Sequence, residues 1–183
     1  PDSLDHKKSG RLPKFLKVKD GMRHIQVLSP TRKGMCGVQV LNTRLQEAFN
    51  PPTPRKKEVQ FGEMTLREGD KVMHIRNNYQ LEWETRDGGS GQGVFNGDIG
   101  LITSIQEDDK LVSVLYDDDK TVQYTYGDLE ELDLAYCLSV HKSQGSEFPA
   151  VIMPMVGGPR MLLTRNLLYT GVTRARRLVV LVG

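Results

Sequence analysis

Apolar positions along the chain follow two periods, one of three to four residues and one of two. His24-Ile25-Gln26-Val27-Leu28 is a short strand candidate running into the turn Ser29-Pro30-Thr31-Arg32-Lys33-Gly34. Val38, Leu41, Leu45, Ala48 and Phe49 then recur at helical spacing. Asn50-Pro51-Pro52 ends that helix, because proline lacks a backbone donor and clashes with the preceding turn. Thr53 to Glu58 is charged and contains proline, which predicts a mobile connection. From Gly69 the segments shorten. Lys71 to Ile75 reads as a strand and Gly88 to Gly93 as a flexible loop. Ile99 to Ile105, Leu111 to Tyr116 and Thr121 to Tyr126 read as strands joined by polar turns. Short antiparallel strands in close succession predict a small all-β barrel. Beyond Leu132 the α/β pattern returns, with strands at Leu134 to Val140 and Ala150 to Met155. A helix is predicted at Thr164 to Arg177, with Leu167, Leu168, Gly171, Val172 and Ala175 on its apolar face. Leu178 to Val182 is continuously apolar, as expected of a parallel strand covered on both faces.

The pattern divides the chain into a tail or linker at 1–21, an α/β unit at 22–68 and 133–183, and a β insert at 69–132. Hydrophobic residues make up 38% and charged residues 26% of the 183 residues, which fits a globular protein. No apolar run approaches the ~20 residues of a membrane span, and Pro1 to Lys19 has no signal-peptide core. Cys36 and Cys137 sit among apolar neighbours and read as buried, reduced thiols, so a cytoplasmic location is expected. The net charge of +2 is too small to argue nucleic-acid binding by itself. His6, His24, His74 and His141 show no metal-ligand spacing, and no metal site is expected.

In open α/β sheets ligands gather at the carboxyl ends of strands. Thr31 to Gly34 and His141 to Glu147 are therefore expected to converge on one sheet edge. Arg174 is expected to join them from the last helix, where Asn166, Thr170 and Arg174 are spaced by four. Arg76-Asn77-Asn78, after the strand entering the insert, offers donors suited to phosphates.

Ala135-Tyr136-Cys137-Leu138-Ser139-Val140-His141-Lys142-Ser143-Gln144-Gly145-Ser146-Glu147-Phe148 resembles motif V of RecD-like superfamily-one DNA helicases. Asn166-Leu167-Leu168-Tyr169-Thr170-Gly171-Val172-Thr173-Arg174-Ala175-Arg176 resembles their motif VI. Ser29 to Gly34 with Val40-Leu41-Asn42 is similar to motif IV. Phe95-Asn96-Gly97-Asp98-Ile99-Gly100 is similar to the start of the SH3-like barrel inserted in their second motor domain. Ser139 stands where the family usually has threonine, and Gly171 where alanine is common.

The resemblance, from about Val27 to Gly183, implies an α/β, RecA-like parallel-sheet motor domain with an inserted SH3-like barrel. It implies an arginine finger at Arg174 and nucleotide-side roles for Gly145, Ser146 and Glu147. Of Arg32 and Lys33, Lys33 matches the family better as the phosphate-side cation. The implied DNA contacts are Thr31, Ser139, His141 and Lys142, with Asn77 added as a phosphate donor. The implied partners are single-stranded DNA and an N-terminal motor domain; a protein partner through the barrel stays open, and no membrane is involved. ATP with Mg2+ is expected to be held mainly by that other domain, because no G-x-x-x-x-G-K-[ST] occurs here. The isolated chain, read as a piece of something longer, is therefore expected not to hydrolyse ATP. Travel from 5′ to 3′ is implied by the resemblance alone. A non-catalytic DNA- or protein-binding module is the alternative.

Overall fold

A computed structural model describes residues 24–117, 119–155 and 165–183. The first elements are β1 (Ile25–Ser29), α1 (Val38–Phe49) and the hairpin β2 (Glu58–Phe61) and β3 (Met64–Arg67). Six strands follow: β4 (Lys71–His74), β5 (Asn78–Glu84), β6 (Ser90–Val94), β7 (Ile99–Gln106), β8 (Leu111–Tyr116) and β9 (Lys120–Thr125). The chain closes with β10 (Leu132–Leu134), β11 (Cys137–Ser139), β12 (Phe148–Pro154), α2 (Arg165–Val172) and β13 (Ala175–Val182).

Two sheets carry the architecture. One is four-stranded, ordered β11-β1-β12-β13, with every pair parallel. The other is seven-stranded and antiparallel, ordered β10-β4-β7-β8-β9-β5-β6. Bulges at Asn78/Glu82 and Ile102/Ser104 bend it around a core that includes Ile102, Val112, Val114, Val122 and Tyr124. Val59 and Leu66 of the β2–β3 hairpin pack into the same core. Leu28, Val140, Val151 and Met153 form a second core in the parallel sheet, against which Leu167 and Leu168 of α2 pack.

Five expectations change. Thr53 to Glu58 does not stay a free connection: it leads into β2, whose alternation was too short to read in the sequence. Gly88 to Gly93 is in part strand β6, paired with β5. A Cβ at Gly91 would lie 2.4 Å from the Trp83 ring, so glycine there makes room for an indole rather than slack. The strand expected over Leu134 to Val140 is cut in two, β10 in the antiparallel sheet and β11 in the parallel one. The final helix ends at Val172 and β13 begins at Ala175, while Thr164 lies outside the described residues. Finally, β13 is an edge strand among the described residues, and Leu181 and Val182 are half exposed rather than covered on both faces. The predicted tail at 1–21 also lies outside the described residues. Cys137 is buried and Cys36 half-buried, and burial pushes the Cys137 thiol up to about 12. No described helix is long and apolar enough to cross a membrane.

Polar side chains hold the two sheets together. The buried residues of α1 are Asn42 and Gln46, not its apolar stripe. The Asn42 amide donates to the Leu134 and Cys137 carbonyls (3.0 Å each) and accepts the Cys137 N–H (2.8 Å). It thereby satisfies backbone that leaves one sheet before joining the other. Asp70, with no exposed surface, accepts from Gln46 (2.6 Å), Asn50 (2.7 Å), the Arg67 N–H (2.7 Å) and the Tyr136 hydroxyl (2.8 Å). Burial raises its carboxyl above the usual range and these donors partly restore the charged form. Lys71 of β4 donates to the Ile25 carbonyl (3.2 Å) and the Gln26 side chain (2.9 Å) of β1, and burial lowers its ammonium to about 7.

Candidate functional site

Because the strands are parallel, their ends set where each loop can act. Ser29 pairs with Ser139, so β1 and β11 finish at the same level. The buried Ser29 hydroxyl braces the turn after β1, donating to the Cys36 carbonyl (2.5 Å) and accepting the Thr31 N–H (3.2 Å). Thr31 is half-buried, while Arg32 and Lys33 are exposed. After β11 the Ser139 hydroxyl accepts the Lys142 N–H (3.2 Å), and the buried Ser143 hydroxyl donates to the Val140 carbonyl (2.7 Å). These local bonds wind the segment into tight turns and leave His141 and Lys142 on the surface. Lys142 Nζ stands 3.9 Å from Asp133. Arg32, Ser139, Lys142 and Asp133 share a small hollow between the two loops.

Residues 140–147 then return from the carboxyl end of β11 to the amino end of β12. Gly145 takes the return turn with φ 85°, a conformation glycine adopts freely. Phe148 opens β12 and pairs with Ala175 at the start of β13. Arg174 therefore lies beside Ser146. Its Nη1 donates to the Ser146 carbonyl (3.3 Å), its Nε to the Thr170 carbonyl (3.3 Å) and its Nη2 to the Thr173 hydroxyl (3.4 Å). Its own carbonyl accepts the Phe148 N–H (2.8 Å). Arg176 pairs with Glu147 at 2.7 Å, with both side chains more than half exposed.

The expected single convergence is thus two clusters. Thr31, Arg32, Lys33, Ser139, His141 and Lys142 lie at the carboxyl ends of β1 and β11. Ser146, Glu147, Arg174 and Arg176 lie at the amino ends of β12 and β13. The seven residues of β12 separate these levels by roughly 20 Å. Arg32 and Lys33 are accordingly not brought to Arg174. The reason is topological: a link between two parallel strands must travel back along their length.

Helix α2 spans the interval. Asn166 and Thr170 line a hollow of about 240 Å³ with Val140, His141 and Gln144. The Thr170 hydroxyl donates to the Asn166 carbonyl (2.9 Å), and Arg174 follows two residues after the helix end. A Cβ at buried Gly171 would lie 2.5 Å from Sδ and Cε of Met153, so glycine lets α2 lie close on β12. On the insert side Asn77 braces a turn, its Oδ1 accepting the Asn96 N–H (2.9 Å). That turn, Asn96 to Asp98, faces His141, Lys142, Gln144, Gly145 and Ser146 across an open cleft of about 630 Å³. Asn96, Gln144 and Arg176 escaped the sequence reading. Arg176 sits two residues from Arg174, and the strand alternation that puts it beside Glu147 is legible only once β13 is known to begin at Ala175.

The model of the SH3 domain of ATP-dependent RecD-like DNA helicases matches residues 41–116, and that of the UvrD-like helicase C-terminal domain matches 134–182. Over 152 residues the chain is 34% identical to the ATP-dependent RecD2 DNA helicase of Deinococcus radiodurans, covering 83% of this chain and 19% of that protein. The chain belongs to the RecD-like helicases. The RecBCD enzyme subunit RecD of Buchnera aphidicola (strain APS) is 30% identical over 166 residues, covering 87% of this RecD-like chain and 25% of that subunit. The chain thus spans a quarter or less of these curated relatives. Among solved structures, Bacteroides Pif1 bound to single-stranded DNA aligns with a TM-score of 0.53 at 18% identity, over 87% of this chain and 40% of that one. Candida albicans Pif1 aligns at 0.53 and 15% identity, over 87% and 45%. These two likenesses speak to fold: a RecA-like α/β motor domain with an inserted SH3-like barrel. The RecD-like chain is a C-terminal region of such a superfamily-one helicase.

Proposed function

We propose that this RecD-like chain is the second motor domain of an ATP-dependent DNA helicase, formed by 22–68 and 133–183 with the barrel at 69–132, and that Arg174 is its arginine finger. The observation that supports this is the Arg174 guanidinium, anchored by the Ser146 and Thr170 carbonyls at the end of a segment that starts at Ser139. A guanidinium has more N–H donors than these contacts use, so donors remain for a phosphate of the substrate ATP. A cation placed there stabilises the charge that develops during phosphoryl transfer, a contribution of ~10³–10⁵ in rate for comparable fingers. Gly145, Ser146 and Glu147 lie on the nucleotide side. A first motor domain carrying the phosphate-binding loop would hold ATP and its Mg2+, since the 183 residues contain no such loop.

Thr31, Ser139, His141 and Lys142 form the single-stranded DNA side, with Arg32 and Lys33 beside them. The cluster at the strands' carboxyl ends favours a DNA-facing role for those two cations over the nucleotide-facing role that the family resemblance implies. Asn77 contributes through the turn it braces. The segment between the clusters links finger and strand contacts, so closure on ATP and grip on DNA change together. Travel from 5′ to 3′ rests on kinship alone.

Strand binding by the isolated chain tests the DNA side. Affinity for a labelled oligothymidylate is expected to be weak and to fall with salt, and Lys142→Ala is expected to lower the log–log salt slope by about 0.7. A slope unchanged in Lys142→Ala removes that residue from the interface, and salt-independent binding refutes the DNA side as a whole.

A further inference from the structure

Tyr79 and Phe95 are 68% and 46% exposed, yet they form an edge-to-face pair with ring centroids 5.7 Å apart. Two exposed aromatic rings that pack edge to face, instead of into a core, make an apolar step on the barrel surface that leaves ring area open to a ligand. The step is rigid. The Phe95 ring tip stands 3.2 Å from a Cβ built at Gly93, so the ring lies along the backbone there. The Phe95 N–H donates to the Asp98 carboxylate (2.9 Å) and the Asp98 N–H to the Phe95 carbonyl (3.0 Å). His74 clamps the same turn from β4, donating its N–H to the Asp98 carbonyl (2.9 Å) and accepting the Gly97 N–H (2.8 Å). Asn77, two residues before Tyr79, holds the Asn96 N–H (2.9 Å).

Phe95 directly precedes Asn96 to Asp98, the barrel wall that faces His141, Lys142, Gln144, Gly145 and Ser146 across the cleft. The aromatic pair thus flanks the barrel wall through Phe95, and the facing wall carries cationic and amide donors. The Asp98 carboxylate, the acidic group lining the cleft, is already engaged by the Phe95 N–H.

We propose that Tyr79 and Phe95 are a base-stacking step: a single-stranded nucleic acid in the cleft lays phosphates along His141 and Lys142 and a base against the aromatic pair. This rests on the DNA-side reading above and adds a barrel contact to it. A single strand is the occupant that matches both walls, since it presents anionic phosphates and open base faces together. A duplex hides its base faces, and an acidic peptide lacks them.

The test measures anisotropy of a labelled oligothymidylate and of an equally long abasic deoxyribose-phosphate strand with the 183-residue chain. Tyr79→Leu, Phe95→Leu and Tyr79→Phe are compared, with circular dichroism to verify the fold. The wild type is expected to bind the base-bearing strand at least about 5-fold tighter than the abasic one, the lower end for one stacked base. Both leucine variants are expected to lose that preference while keeping abasic affinity, and Tyr79→Phe to retain it. Equal wild-type affinity for the two strands, or a preference that survives both leucine variants, overturns the stacking step and leaves the aromatics to a protein partner. Salt-sensitive binding to the abasic strand would show in that case that the phosphate contacts stand without the step. Absence of binding to either strand overturns the DNA-side reading together with it.

Discussion

Tyr136→Phe removes one oxygen and leaves the ring in place, at a point where three stretches of chain meet. The Tyr136 hydroxyl donates to Asp70 Oδ1 at 2.8 Å, from a side chain only 1% exposed. Three donors remain on that carboxylate: Gln46, Asn50 and the Arg67 N–H. A hydrogen bond to a buried charged group contributes about 1.5–3 kcal/mol. At ~2–4 °C per kcal/mol for a chain of this size, the melting midpoint is expected to fall by about 3–12 °C at neutral pH. The effect depends on pH in a defined direction. Burial raises the folded Asp70 above its usual 3.8, so the group favours folding most at low pH and loses that contribution as pH rises through the folded value. The Tyr136 bond lowers that folded value, so without it the loss is larger. The penalty of Tyr136→Phe therefore grows from acidic to neutral pH. Urea unfolding of both proteins at the two conditions measures it. An unchanged midpoint, or a penalty equal at both, refutes the assignment of Asp70 as a buried carboxylate sustained by its donors.

Three further outcomes follow from the same contacts. Lys71, lowered to about 7, sheds its proton in the folded state while the unfolded lysine keeps it, so its contribution to stability rises from about pH 7 toward 10.5. Lys71→Met is expected to remove up to about 1.4 kcal/mol per pH unit of that rise, read by urea unfolding at neutral and mildly alkaline pH. Gly171→Ala pushes on Met153, and Met153→Ala alone leaves a cavity costing about 2–5 kcal/mol, so the double variant is expected to cost clearly less than the sum. Arg176→Ala breaks an exposed ion pair and is expected to change the unfolding free energy by less than about 1 kcal/mol.

Regular elements were legible where one period ran long enough. Val38 to Phe49 is a helix over the stretch its apolar spacing marks, and Leu111 to Tyr116 is a strand end to end. Sheet membership was not legible. Leu134 and Leu138 belong to one apolar run, yet different sheets claim them, because the divide is made by Asn42, 92 residues from Leu134. The helix-to-strand change after Val172 was hidden for a related reason: Ala175 to Val182 is apolar enough to suit either form. For the site, gathering residues at the carboxyl ends of strands leads to one cluster that holds Arg32, Ser146 and Arg174 together. The structure brings Ser146 to Arg174 but leaves Arg32 at the other end, because residues 140–147 return to the amino end of β12, and that return is a three-dimensional fact.

Arg174 is proposed to act on ATP from this domain. The direct measurement is DNA-stimulated ATP turnover of the full-length protein with Arg174→Ala. The expected result is a drop of ~10³-fold or more in kcat, with single-strand affinity little changed, because the proposed finger and strand contacts lie at opposite ends of the sheet. Turnover near that of the wild type would contradict it.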